Sequence, residues 1–228
     1  MQIKNFVVAI FALPLAASSA FADIIFTGSA GPNQEATAVF HFVNANHLAL
    51  TLSDTGNIID IASVLDDFHF NLSASPTSGS FTSISSHGFV DCTASTNTTP
   101  NCTNDGNPNA NGTWSFGLTG AHIDMVAGNG MHPYGIVNSS IFGNGNLDGL
   151  RNGQHNPYLM GDVTFNILLA GLTGIPTISN VDFTFGTTPD HVPGIPTTLR
   201  ITVPEPASAA LVGLALLGMG LVRRRRQH

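Results

Sequence analysis

The chain has 228 residues, of which seven are Lys or Arg and fourteen Asp or Glu, a formal charge of −7 at pH 7 with histidine neutral. Five of those cations, Lys4 and Arg223 to Arg226, lie near the two ends, so residues 23–203 keep only Arg151 and Arg200 against thirteen acids and carry −11. Nucleic-acid phosphates and anionic lipid surfaces are bound by clustered Lys and Arg, and this composition excludes both as partners of the body.

At the N-terminus, Lys4 supplies a short positive region, Phe6 to Ala17 is an apolar run, and Ala20-Phe21-Ala22 is a small-x-small cleavage site. Together they read as a secretory signal peptide over 1–22, cut after Ala22 so that the mature chain starts at Asp23. Residues 23–203 then form one domain with enough length for a sizeable core. That body has no Lys, one Glu, two Gln and two Arg, which removes the long polar side chains that helices carry on their solvent face. Its Ser, Thr, Asn, Gly and Phe suit strands and turns instead. The expected fold class is all-β, an antiparallel β-sandwich or jelly roll.

The first clear element is "ATAVFHFVNANHLALTLSDTG", where Ala38, Phe40 and Phe42 alternate with polar or smaller residues, Asn44-Ala45-Asn46 turns, and Leu48, Leu50 and Leu52 alternate again. This predicts a β-hairpin. "IIDIASVLDDF" predicts one or two helical turns. Period-2 runs follow at Phe68 to Leu72, Gly112 to Leu118, Asp162 to Leu172, Asn180 to Thr187 and Thr197 to Val203. The Gly- and Asn-rich stretch from Gly128 to Asn156 is too long for a hairpin turn and predicts an extended surface loop.

Cys92 and Cys102 flank an Asn- and Thr-rich run. In an exported chain the simplest reading is a disulfide pinning a surface loop, while a reactive thiol stays as an alternative and two ligands alone make a poor zinc site. The eight histidines of the body show no metal-ligand spacing. His122 and Asp124 would share one face of a strand, but they are two ligands where zinc takes three or four. No metal and no cofactor is therefore expected, and the histidines read as solvent-facing strand residues. Calcium is the one cation kept as a candidate, with Asp66, Asp67, Asp105 and Asp148 as unranked ligands; "DGNPNANGTWSF" starts like an EF-hand loop but has Ala110 and Phe116 where that loop needs Gly and Glu.

No catalytic motif is present, neither a Gly-x-Ser-x-Gly elbow nor a His-Glu-x-x-His, and the chain is not expected to be an enzyme. Trp114 and Tyr134 are the aromatic side chains that could stack on a sugar ring, although a single Trp on a strand is ordinarily core. Three readings follow. The leading one is a non-catalytic structural or adhesive protein, the second a carbohydrate-binding module, and the third a secreted hydrolase using two opposed carboxylates.

The chain closes on "VPEPASAALVGLALLGMGLVRRRRQH". Residues 207–222 carry no charge and, as a helix, would reach about 24 Å, near the short limit for a transmembrane span. Arg223, Arg224, Arg225 and Arg226 would hold the cytoplasmic side, leaving the body across the membrane. The prolines bias Val203, Pro204, Glu205 and Pro206 towards an extended strip that a processing enzyme can grip. This layout over 204–228 resembles the PEP-CTERM sorting signal of Gram-negative bacteria. The resemblance implies recognition by exosortase, a membrane-embedded cysteine transpeptidase, with membrane attachment through the helix before processing. It also implies delivery to the cell surface or to an extracellular polysaccharide matrix such as a biofilm, where exopolysaccharide would be a partner. "VLDDFHFNL", "YGIVNSSIFG" and "MGDVTFNILLAGLTGIPTISNVDFTFGT" are similar to segments of a family of exosortase-dependent surface proteins. In that family a Val-x-Phe-x-(Phe/Tyr)-Gly-Thr strand precedes the tail, and here Val181, Phe183, Phe185, Gly186 and Thr187 fill the pattern.

Overall fold

The computed structural model describes residues 22–96, 101–128, 133–138, 149–186 and 190–197. Residues from Phe21 to Arg200 cluster as one compact unit. The described part is built from strands, with a single 3-10 turn at Ile61–Ser63 as its one short helix.

In chain order the strands are β1 (Ile24–Ser29), β2 (Glu35–Asn44), β3 (His47–Asp54), β4 (Leu65–Leu72), β5 (Ser78–Ser85), β6 (Phe89–Asp91), β7 (Thr103–Asn104) and β8 (Trp114–Thr119). They continue with β9 (His122–Ala127), β10 (Ile136–Val137), β11 (Tyr158–Met160), β12 (Val163–Ala170), β13 (Ile178–Phe185), β14 (Asp190–Pro193) and β15 (Ile195–Thr197). The first sheet has six strands in the order β15-β1-β2-β3-β12-β5. The second has nine; its main path runs β14-β13-β4-β10-β11-β6-β7, and β9 joins the same edge of β4 with β8 outside it. Every pairing is antiparallel except β10 with β11.

The predicted hairpin forms as β2 and β3, with Ala38 opposite Leu52, Phe40 opposite Leu50 and Phe42 opposite Leu48. All six of these side chains are buried, because a period of two sends every second residue to the same face. The same alternation on β4 buries Phe68 and Phe70, on β12 Val163, Phe165, Ile167 and Leu169, and on β13 Val181 and Phe183. These faces meet in one core. Phe40 of the first sheet stands edge-on to Phe70 of the second with ring centroids 5.0 Å apart, and Phe68 lies 5.1 Å from Phe183. Offset and edge-on aromatic pairs of this kind add about 0.5–1.5 kcal/mol beyond the area they bury.

Three expectations need correction. "IIDIASVLDDF" makes only the one 3-10 turn before β4 takes over at Leu65. The stretch 128–156 is not wholly a surface loop: Val137 and Leu150 are buried with Ile58, Val64, Val90, Cys92 and Tyr158 in a second, smaller core. The last predicted strand, Thr197 to Val203, is preceded by β15 at Ile195–Thr197, and the remainder of that run lies outside the described residues.

Cys92 and Cys102 are joined by a disulfide with Cα atoms 4.1 Å apart. Asp91 pairs with Thr103 where β6 meets β7, so the bridge sits one step beyond the last paired residues and continues their register. Among the described residues no helix is long and apolar enough to cross a membrane. The span expected at 207–222 lies outside them, as do residues 1–21 of the expected signal peptide.

Candidate functional site

The outer face of the second sheet gathers the polar chemistry of the domain. On β4 the residues that alternate with Phe68 and Phe70 are Asp67, His69 and Asn71, half-buried on the face away from the core. On β9 His122 and Asp124 flank the buried Ile123, as the sequence suggests, and register sets His122 opposite Asn71 and Asp124 opposite His69. On the other side of β4, β13 sets Asp182 opposite His69 and Thr184 opposite Asp67. β14 then sets His191 opposite Thr184.

Three histidines and three carboxylates from four strands therefore converge. His191 Nδ1 lies 3.0 Å from Asp182 Oδ1, and His69 Nε2 lies 3.8 Å from the same oxygen. The His69 ring centroid is 5.6 Å from that of His122 and 5.8 Å from that of His191. His122 is held by Asn71, with Nδ1 2.8 Å from Oδ1. Two triads, His69-Asp182-His191 and Asp67-His69-Asp124, each bring one donor atom per residue within 4.8 Å of the others.

The electrostatics follow from burying acids in a domain almost without cations. Burial, then the charge of Asp124, pushes the Asp67 carboxyl up to about 7, and a hydrogen bond between the two carboxyls acts in the same direction. Burial and the neighbouring Asp67 push Asp66 up to about 8. Burial lowers His69 below the usual imidazole range, and the carboxylate of Asp182 opposes that shift.

The residues singled out from the sequence are placed as follows. Trp114 is 4% exposed, its ring stands 5.1 Å edge-on to Phe165, and its indole N–H donates to the carbonyl of Tyr134 at 2.9 Å. It is a core residue with no face to offer a sugar, the ordinary place of a single Trp on a strand, and the stacking alternative is set aside for it. Tyr134 is half-buried, with φ of 72° and its ring edge-on to Phe89 at 6.1 Å. Asp105 heads a run of turns. Its Oδ1 accepts the N–H groups of Phe89 and Asn107, and the series continues with Asn107 accepting from Asn109 and Asn109 from Asn111. The Asp-x-Asn-x-Asn spacing is used by consecutive Asx turns, and the two N–H groups on Asp105 hold its carboxyl below the usual range. Of the four calcium candidates only Asp67 belongs to either triad. Asp148 lies outside the described residues.

Asp67 and Asp124 each bring an oxygen within 4.8 Å of the other. Ala22 is exposed just ahead of β1. Val203, Pro204, Glu205, Pro206 and Arg223 to Arg226 lie outside the described residues.

The fold and its outer face define the class: an all-β sandwich, stapled by a disulfide, with a histidine–carboxylate surface. Its destination is written in the tail. Residues 202–226 match the PEP-CTERM protein-sorting motif, a signal for export and exosortase-dependent sorting to the cell surface. No curated protein and no solved structure matches the chain.

Proposed function

We propose that this is a non-catalytic surface protein of a Gram-negative bacterium, structural or adhesive, exported by the signal peptide 1–22 and released from its tail by exosortase into the cell surface or polysaccharide matrix. The observation that carries this reading is the sorting motif at 202–226. The acidic, lysine-free composition of the body is compatible with it, since such a surface repels anionic lipid and is free to sit in a hydrated matrix.

Processing is tested by the intact mass of protein recovered outside the cytoplasm of the native host. The expected mass lacks both residues 1–22 and Ala207 to His228. Glu205→Ala removes the only charge of the recognition strip and should accumulate an uncut, membrane-bound form. Recovery of the Arg223 to Arg226 peptide at full abundance on surface-extracted protein would refute processing. The adhesive role is tested separately, by comparing attachment and matrix cohesion of a deletion strain with its parent; unchanged values for both would refute that part.

A further inference from the structure

We propose that His69, Asp182 and His191 form a mononuclear site for a zinc-class divalent cation on the outer face of the second sheet. This goes beyond the sorting reading and stands independently of it.

The geometry is the first argument. Donors 2.0–2.1 Å from a tetrahedral zinc are about 3.4 Å from one another. The Asp182 oxygen already sits 3.0 Å from a His191 nitrogen and 3.8 Å from a His69 nitrogen, so the spacing brackets what the ion needs. The His69–Asp182 contact, between side chains 25% and 18% exposed, has to shorten by about 0.4 Å, and the contact of His191, 56% exposed, to lengthen by a similar amount. Small side-chain rotations supply shifts of that size without moving the backbone.

The second argument is independent of the cluster itself. Thr184, 2% exposed, stands in register between Asp67 and His191 on the same face, and among the described residues its Oγ1 meets no hydrogen-bond partner. Buried polar atoms left unmatched are costly, and such groups at a native site point to an ion or an ordered water. A cation held by the three ligands, with its own bound water reaching Thr184, supplies the missing partner.

Composition narrows the ion. With no Lys and only two Arg between residues 23 and 203, the body offers few cationic side chains other than its histidines to balance three converging carboxylates. Two imidazoles and one carboxylate suit zinc and the other late first-row divalent ions, whereas calcium takes oxygen alone. Three protein ligands leave a fourth position for water or for an acidic group of a partner.

The test uses the full chain in detergent, stripped with a chelator and titrated with ZnCl2 by calorimetry, then with CoCl2 by absorption. One equivalent of zinc should bind, and cobalt should give the intense visible bands of four-coordination. His191→Ala and Asp182→Asn should each weaken zinc binding at least about tenfold, the loss seen even for outer-shell partners of metal sites. His47→Ala, in the other sheet, should leave it unchanged. Because His191 is at the surface, its variant should melt like the metal-free parent, so lost binding is not lost fold. No zinc binding, calcium binding in its place, or zinc binding indifferent to His191 and Asp182 would overturn the proposal. Binding lost in Asp124→Asn but kept in His191→Ala would also overturn it, by moving the ion to the second triad.

Discussion

Gly186 ends β13 and decides how that strand meets the start of β4. Its φ is 72°, and its N–H donates to the carbonyl of Val64 at 2.9 Å. A Cβ at this position would lie 2.7 Å from the Cα of Ala62 and 3.4 Å from the carbonyl oxygen of Ile61, both backbone atoms of the 3-10 turn. Neither can rotate away. Alanine in a left-handed conformation costs about 1–2 kcal/mol, and forcing a methyl group into a packed site costs about 1–3 kcal/mol more. Gly186→Ala should therefore destabilise by about 3 kcal/mol, which for a chain of this size lowers the melting temperature by about 6–12 °C. Gly106→Ala separates the two contributions, since Gly106 has φ of 66° and a Cβ there would meet nothing within 4 Å. It should lose only the backbone cost, about 1–2 kcal/mol. Urea titrations of both variants, read at unchanged slope, give the comparison directly. Equal losses at the two positions would refute the claim that contact with Ala62 makes glycine necessary where β13 ends.

Two further outcomes follow from buried groups. Burial raises the pKa of Asp54 well above the usual carboxylate value, against the pull of the N–H groups of Gly56 and Leu65. The folded state thus holds the proton more tightly than the unfolded chain, whose aspartate titrates near about 3.9, and the fold loses stability as pH rises from there towards the raised value. Asp54→Asn should raise the urea midpoint at pH 7 and raise it less at pH 4; an equal gain at both would contradict the assignment. Cys102→Ser opens a loop whose ends are 10 residues apart and should cost about 2–3 kcal/mol, a fall of about 4–12 °C in melting temperature with the fold retained. Alkylation of the exported protein without reduction should label neither cysteine, and full labelling of both would remove the staple from the account.

The core was legible because alternation alone specifies it: Phe40, Leu50, Phe70, Phe165 and Phe183 all fall at the inward positions that period-2 reading picks out. Strands such as Ser78–Ser85 were not, since their exposed faces are Ser and Thr and only Ile84 is buried. The histidine–carboxylate face was half-legible. Asp67-x-His69-x-Asn71, His122-x-Asp124 and Asp182-x-Thr184 each show polar residues two apart opposite an apolar ladder, a signal for one polar face per strand. Their meeting depends on β4 pairing with β9 on one edge and β13 on the other, with a register shift between Ser179 and Asp182. Register between strands more than fifty residues apart is a tertiary fact, and a search for ligands spaced within one segment passes over it. Trp114 falls in the core as a single Trp on a strand ordinarily does, and the ring it packs against, Phe165, comes from the other sheet.

The way the chain enters and leaves the sandwich bears on its processing. β1 begins at Ile24, one residue beyond the expected mature N-terminus, and β15 ends at Thr197, six residues before Val203. The two strands are antiparallel neighbours, with Ile25 opposite Thr197 and Thr27 opposite Ile195, so entry and exit stand side by side at one end of the first sheet. The buried apolar residues run from Phe26 to Val192. Their burial among themselves stabilises the described domain. Phe26 to Val192 build a continuous core from described residues alone, and a chain cut to 23–203 is expected to melt like the full-length protein; a lower melting temperature for the cut chain would count against that. Edge strand β15 carries Pro196, which withholds a backbone donor from any further strand and keeps this edge from extending into a neighbouring copy. A domain whose described core is drawn from residues 26–192, and whose first and last described strands are neighbours, can be anchored and released at the same end, as a temporary anchor requires.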